Sequence, residues 1–287
     1  MESRTRRRLS ATAAAIVAIA AVGAARASVG PAEQTGVFAL AGGRAKIVSK
    51  FWAEHGSGLS ATLKVRQFAL NGSTPILDYS VELERTMHMI VVRDDFATFA
   101  HFHPAFDVTT GTFSQAFTKE PNHRYFVYAD TEPRSIGQQV FRFTIESDGP
   151  AASPRPSLEA SAPSAAAGPY TLTLSQTTLS ANTPNLVKIT ISQNGKPARG
   201  LGTYLGAAAH AVFISTSNLA YVHLHPKVAG KANMDSDEMD MTDMGSQAGP
   251  LLQMKIPALP LGTYKLWIQF RGANDRVYTV PFTLVAR

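Results

Sequence analysis

Residues 87–104 read MHMIVVRDDFATFAHFHP, and residues 205–226 read LGAAAHAVFISTSNLAYVHLHP. Both contain the spacing His-x12-His-x-His-Pro, as His88, His101, His103 and Pro104 and again as His210, His223, His225 and Pro226. In the first stretch two strand-like runs flank Arg93-Asp94-Asp95-Phe96, which is the pattern of a β-hairpin. A turn centred between Asp94 and Asp95 sets His88 opposite His101. In the second stretch Ser215 to Asn218 makes the turn, and His210 faces His223. Residues two apart on a strand share a face, so His103 joins His101 and His225 joins His223. Each hairpin thus aims three imidazoles to one side of a ribbon. Pro104 and Pro226 cannot continue the ladder, which leaves His103 and His225 near the rim, within reach of a metal ion.

The two stretches belong to a longer repeat. Pro75 to Pro104 lies over Pro197 to Pro226 at a constant offset of 122, and Tyr125 to Phe143 lies over Tyr264 to Phe282 at an offset of 139. The difference, 139 − 122 = 17, is an insertion in the second copy. An internal duplication is the simplest explanation. Period-two alternation with β-branched and aromatic residues recurs from Ala61 to Phe68, Tyr125 to Tyr128, Val140 to Ile145, Leu186 to Ile191 and Tyr264 to Phe270, as in half-buried antiparallel strands. Turn signals such as Asn71-Gly72 and Asn194-Gly195 punctuate them. The fold class expected is all-β, with two tandem immunoglobulin-like β-sandwich domains. The expected boundaries are a lead-in over 28–45, a first sandwich over 46–147, a Pro/Ala/Ser linker over 148–169 and a second sandwich over 170–287.

Residues 1–27 have the form of a signal peptide, with Arg4, Arg6, Arg7 and Arg8, an apolar run and Ala25-Arg26-Ala27. The run is shorter than the ~20 residues of a membrane span, although an uncleaved anchor stays open as an alternative. Arg6-Arg7 also loosely fits a twin-arginine signal. The segment holds five Arg and one Glu, so the rest of the chain keeps 6 − 4 = +2 of the formal charge of +6. Basicity is therefore no argument for a nucleic-acid partner. The expected setting is periplasmic or secreted, without a transmembrane segment in the mature chain. There are no cysteines, which excludes disulfides, thiolate ligands and a cysteine nucleophile.

Six of the chain's eight histidines are in the repeated motif. Imidazole is a common ligand of copper and zinc, and three converging nitrogens with an open position make a usable site. The metal ligands expected are His88, His101, His103, His210, His223 and His225, as one site per hairpin or one joint site. The insertion contributes a Met/Asp-rich loop over 231–249, where Met234, Met239, Met241 and Met244 are candidate soft ligands. This loop is the ground for expecting copper, with zinc as the alternative. Met87 and Met89 alternate to the other face, as core residues. His55 and His123 have no counterpart in the repeat and read as surface residues. Glu84 aligns with Gly206 and Asp107 with Ala229, so no carboxylate recurs. With no nucleophile elbow, paired carboxylates or phosphate loop, an enzyme is not expected. The alternative to metal homeostasis or delivery is a non-catalytic envelope binding or scaffold module, with histidines that serve structure and an envelope protein as partner.

The two histidine stretches resemble the YtkA-like group of secreted bacterial β-sandwich proteins. That resemblance implies a sandwich fold and an extracytoplasmic setting, and the group is suspected of metal binding without an established activity. The Met/Asp loop is similar to methionine-rich segments of periplasmic copper-resistance proteins.

Overall fold

The computed structural model describes residues 45–81, 84–146, 158–230 and 248–287. Among them the secondary structure is β throughout, and no helix is long and apolar enough to cross a membrane. The strands are, in order, β1 (Val48–His55), β2 (Ser60–Phe68), β3 (Met87–Arg93), β4 (Phe99–Phe102), β5 (Ala105–Asp107), β6 (Thr112–Thr118), β7 (Tyr125–Thr131) and β8 (Gln139–Ile145) in the first half. The second half has β9 (Ser164–Ala167), β10 (Tyr170–Leu174), β11 (Thr178–Leu179), β12 (Asn185–Gln193), β13 (Lys196–Pro197), β14 (His210–Ser215), β15 (Tyr221–Leu224), β16 (Lys227–Val228), β17 (Leu251–Ile256), β18 (Gly262–Arg271) and β19 (Val277–Ala286).

These strands make four sheets. The first half has β1-β2-β6-β5 and β4-β3-β7-β8; the second has β16-β17-β12-β10-β9, with β13 beside β12, and β11-β19-β18-β14-β15. Each half closes its two sheets on a buried cluster, around Leu63, Met89, Phe113 and Phe143 in the first and around Leu172, Ile189, Phe213 and Phe282 in the second. This is consistent with a β-sandwich arrangement. Period-two burial is clear on β2, where Ala61, Leu63 and Val65 point inward. Met87 and Met89 are core residues of the first half.

A third cluster joins the halves. Ile90, Val92, Phe126 and Tyr128 from the β3/β7 sheet pack against Val212, Ile214, Tyr221 and Trp267 from the β14/β18 sheet. Tyr128 stacks on Tyr221 at 5.0 Å and Phe99 on Trp267 at 4.9 Å, each with planes 19° apart. The contacts are reciprocal, since Tyr128 and Trp267 are 139 positions apart and Phe99 and Tyr221 are 122 apart. The Tyr128 hydroxyl also donates to the Leu219 carbonyl at 3.0 Å.

This back-to-back packing corrects one expectation. The run Tyr125 to Tyr128 in β7 is not half-buried: every residue of β7 is buried, as are six of seven in β3 and every residue of β14. Both faces of their sheets are covered, so their apolar runs are nearly continuous. The hairpin register differs as well. Ile90 pairs with His101 and Val212 with His223, so each turn is centred one residue further on than expected. The bond from Arg93 N–H to the Thr98 carbonyl closes a four-residue loop, and Phe96 (φ 60°) turns its ring into the third cluster. The pairing therefore slips by two, which keeps every side chain on its face. His88 sits diagonal to His101, not opposite it.

The linker expected over 148–169 is also shorter than read. Residues 164–167 form the edge strand β9, joined to β10 through Gly168 (φ 56°) and Pro169. Ala165 and Ala167 pack on the second core. Small residues gave this strand no apolar periodicity to read. The expectations for 1–27, most of the lead-in, 148–157 and most of the 231–249 loop fall outside the described residues.

Trp267 is 3 % exposed at the centre of the joint between the halves. Trp267→Ala should destabilise the chain by about 3–5 kcal/mol in urea unfolding. A loss below about 1 kcal/mol would show that the joint contributes little.

Candidate metal centre

The outward faces of β3 and β14 put His88 and His210 in the layer between the halves, where they are 1 % and 0 % exposed. The second strands of the hairpins add His101 and His223, and His103 and His225 follow one residue past the strand ends. Pro104 and Pro226 stand where the chain leaves one sheet for the other. All six rings meet in one cluster. Centroid separations within the first trio are 5.2 Å for His88–His101, 5.2 Å for His88–His103 and 4.7 Å for His101–His103. In the second trio they are 5.3, 4.9 and 4.6 Å. Contacts across the halves are as close, with His88–His223 at 5.1 Å and His101–His210 and His101–His223 both at 5.5 Å.

Two short contacts organise the rings. His88 Nδ1 lies 2.9 Å from His101 Nε2, and His210 Nδ1 lies 3.1 Å from His223 Nε2. The opposite nitrogens are held from outside. His101 Nδ1–H donates to Gln269 Oε1 at 2.8 Å, and His210 Nε2–H donates to the Tyr204 carbonyl at 2.9 Å. That carbonyl is presented by a tight turn through Leu205 (φ 49°) and Gly206 (φ 74°). His223 Nδ1 is 3.7 Å from Asp130 Oδ2. Asp130 also accepts from the Tyr221 hydroxyl and from Gln138. It is the one acidic side chain in the buried set among the described residues.

Proton placement in this network is constrained. With a proton on Nε2 for Tyr204, a neutral His210 offers its Nδ1 as an acceptor. His223 must then donate through Nε2, so a neutral His223 turns a bare Nδ1 towards the Asp130 carboxylate. Further, the Nε2 atoms of His103 and His225 are buried without a hydrogen-bond partner. Ligand nitrogens of His88, His101 and His103 lie within 4.8 Å of one another, as do those of His88, His210 and His223. Such groupings are what a metal ion requires of its ligands.

Desolvation dominates the electrostatics. Burial, reinforced by neighbouring rings, holds His101, His210 and His223 well below the usual histidine range. Burial with the nearby His88 ring and Arg85 guanidinium brings His103 down to about 3, and burial with His88, His101 and Lys227 does the same for His225. Neutral rings keep a lone pair available for a metal.

The structure thus brings the six expected histidines into a single joint cluster. Met234, Met239, Met241 and Met244 lie outside the described residues. His55 is exposed, whereas His123 is partly buried, 3.4 Å from Asp94. Sequence reasoning missed Asp130, Gln269 and Tyr204. Asp130 and Gln269 are 139 positions apart and pair directly with His88 and His210 on the neighbouring strands. Each serves a histidine of the other half, a crossing that only the packing of the halves reveals.

A family model described as a domain of unknown function (DUF8832) matches residues 164–287. No curated protein matches the chain.

The shifts set the direction of the pH dependence. These rings are neutral in the fold but titrate near pH 6.5 when unfolded, so below pH 6.5 the unfolded chain binds more protons, down to about pH 3 for His103 and His225. Stability is full above pH 6.5 and falls as the pH drops, by up to about 1.4 kcal/mol per pH unit for each such histidine. Metal-free protein should show a level melting temperature above pH 7 and a steep decline from pH 6.5 to 4. A melting temperature unchanged down to pH 5 contradicts this reading.

Proposed function

We propose that the chain is an exported protein that binds a transition metal through the histidine cluster between its halves, in metal homeostasis or delivery. One observation carries the reading. Two histidine trios, distant in sequence, converge between the halves, with the ligand nitrogens of His88, His101 and His103, and those of His88, His210 and His223, within 4.8 Å of one another. Burying polar atoms without partners costs stability, and the Nε2 atoms of His103 and His225 lie buried without one. Outer hydrogen bonds from Gln269 and the Tyr204 carbonyl orient the rings, as partners of metal-bound histidines commonly do. Export rests on residues 1–27. Origin by duplication, as two immunoglobulin-like sandwiches, is supported by the shared registers and the reciprocal contacts of the halves.

Copper is the preferred ion on the strength of the Met/Asp loop, with zinc as the alternative. The absence of any recurring nucleophile or carboxylate pair in the sequence favours binding over catalysis. A second reading has its own support: the close His88–His101 and His210–His223 contacts satisfy four ring nitrogens without an ion. In that case the protein is a scaffold module whose histidines serve structure.

Melting separates the two. On the metal reading, copper or zinc at 100 times its dissociation constant stabilises the mature chain by about 2.7 kcal/mol. His101→Ala/His103→Ala should abolish that gain. On the scaffold reading the variant melts lower by the same amount with and without metal. Calorimetry showing no copper or zinc binding tighter than about 10 µM at pH 7 removes the metal reading.

A further inference from the structure

Within the six-ring cluster, two rings from each half form a compact figure across the joint. His88, His101, His210 and His223 are mutual neighbours. Their six centroid separations are 5.2 Å (His88–His101), 6.0 Å (His88–His210), 5.1 Å (His88–His223), 5.5 Å (His101–His210), 5.5 Å (His101–His223) and 5.3 Å (His210–His223). Four points with nearly equal mutual distances are the corners of a tetrahedron. A tetrahedral ion with metal–nitrogen bonds of about 2.0–2.1 Å, and ring centroids about 1.15 Å beyond, sets those centroids about 5.2 Å apart. Its nitrogens would be about 3.3 Å apart, against 2.9 and 3.1 Å for the two facing pairs.

We propose that His88 and His101 of the first half and His210 and His223 of the second form a single four-nitrogen site, which takes one ion of tetrahedral preference and clamps the halves together. This rests on the metal-binding reading and fixes its stoichiometry, geometry and ion class. Zinc(II) and copper(I) suit a tetrahedral set of nitrogens, whereas copper(II) favours tetragonal ones.

The surroundings orient three of the four rings with the facing nitrogen inward. Gln269 holds His101 by Nδ1 and leaves Nε2 inward, and the Tyr204 carbonyl holds His210 by Nε2 and leaves Nδ1 inward. Asp130 stands beside His223 Nδ1, on the side away from its Nε2. With an ion accepting the Nε2 lone pair, the His223 proton resides on Nδ1 and faces the carboxylate, which resolves the mismatch of the metal-free network. Asp130 then supplies a buried negative charge next to an otherwise neutral ligand set. His88 links the halves, since its ligand nitrogen is close to those of His101 and His103 in one group and to those of His210 and His223 in the other. His103 and His225 stand at the flanks of the four, and their unpartnered Nε2 atoms are not among these ligands.

The test is titration of the full mature chain with zinc(II) chloride, read by native mass spectrometry and calorimetry, alongside the visible spectrum with cobalt(II) chloride. One tight equivalent, with the intense visible bands of four-coordinate cobalt, is expected. His88→Ala and His223→Ala, from opposite halves, should each abolish it, while His55→Ala on the exposed surface leaves it intact. Two equivalents, with each cluster variant keeping one, would overturn the shared site and leave metal binding standing. No tight binding would overturn both. The weak bands of six-coordinate cobalt would overturn the four-nitrogen site in the wild-type chain, whether or not the variants fold.

Discussion

The arrangement depends on two sheets that turn their outer faces towards each other and exclude water between them. Tyr128 against Tyr221 and Phe99 against Trp267 form the apolar part of that contact, and the histidine cluster continues the same layer. Once the layer is dry, an imidazole in it must stay neutral and find partners for both nitrogens. Some of those partners come from the opposite half, such as Gln269 for His101. The histidines are therefore coupled to the joint itself, and whatever satisfies them also bears on how tightly the halves dock.

Much of this was legible in the sequence, for identifiable reasons. The hairpins showed as apolar runs around polar turns, and their likeness to each other showed in constant offsets. The register was misread by two positions because the turn is set by Phe96, whose ring is drawn into the joint. The error left the site intact, since a slip of two returns each side chain to its own face. What could not be read was the packing of one half on the other. The run Tyr125 to Tyr128 looks alike whether one face is covered or two, and β9 is built from alanine and serine that leave no apolar signature. Asp130 and Gln269 occupy matched positions, yet they differ in type and act across the joint, so neither stood out in its own strand.

On the metal-binding proposal, the cluster is a preformed site. Its rings are oriented from outside by a side-chain amide and a main-chain carbonyl, with a carboxylate at hand for charge. Apolar stacking holds the halves in place around it. Preorganisation of this kind removes much of the ordering cost of binding and narrows the geometries an ion can adopt. The buried nitrogens of His103 and His225 show that packing alone does not complete the network.

The most direct test of the claim that these rings hold an ion is X-ray absorption spectroscopy on zinc-loaded mature protein. The account predicts a first shell of nitrogen at about 2.0–2.1 Å, with the outer scattering of several imidazoles and no sulfur. A first shell of oxygen without imidazole scattering, or one containing sulfur from the methionine loop, would contradict it.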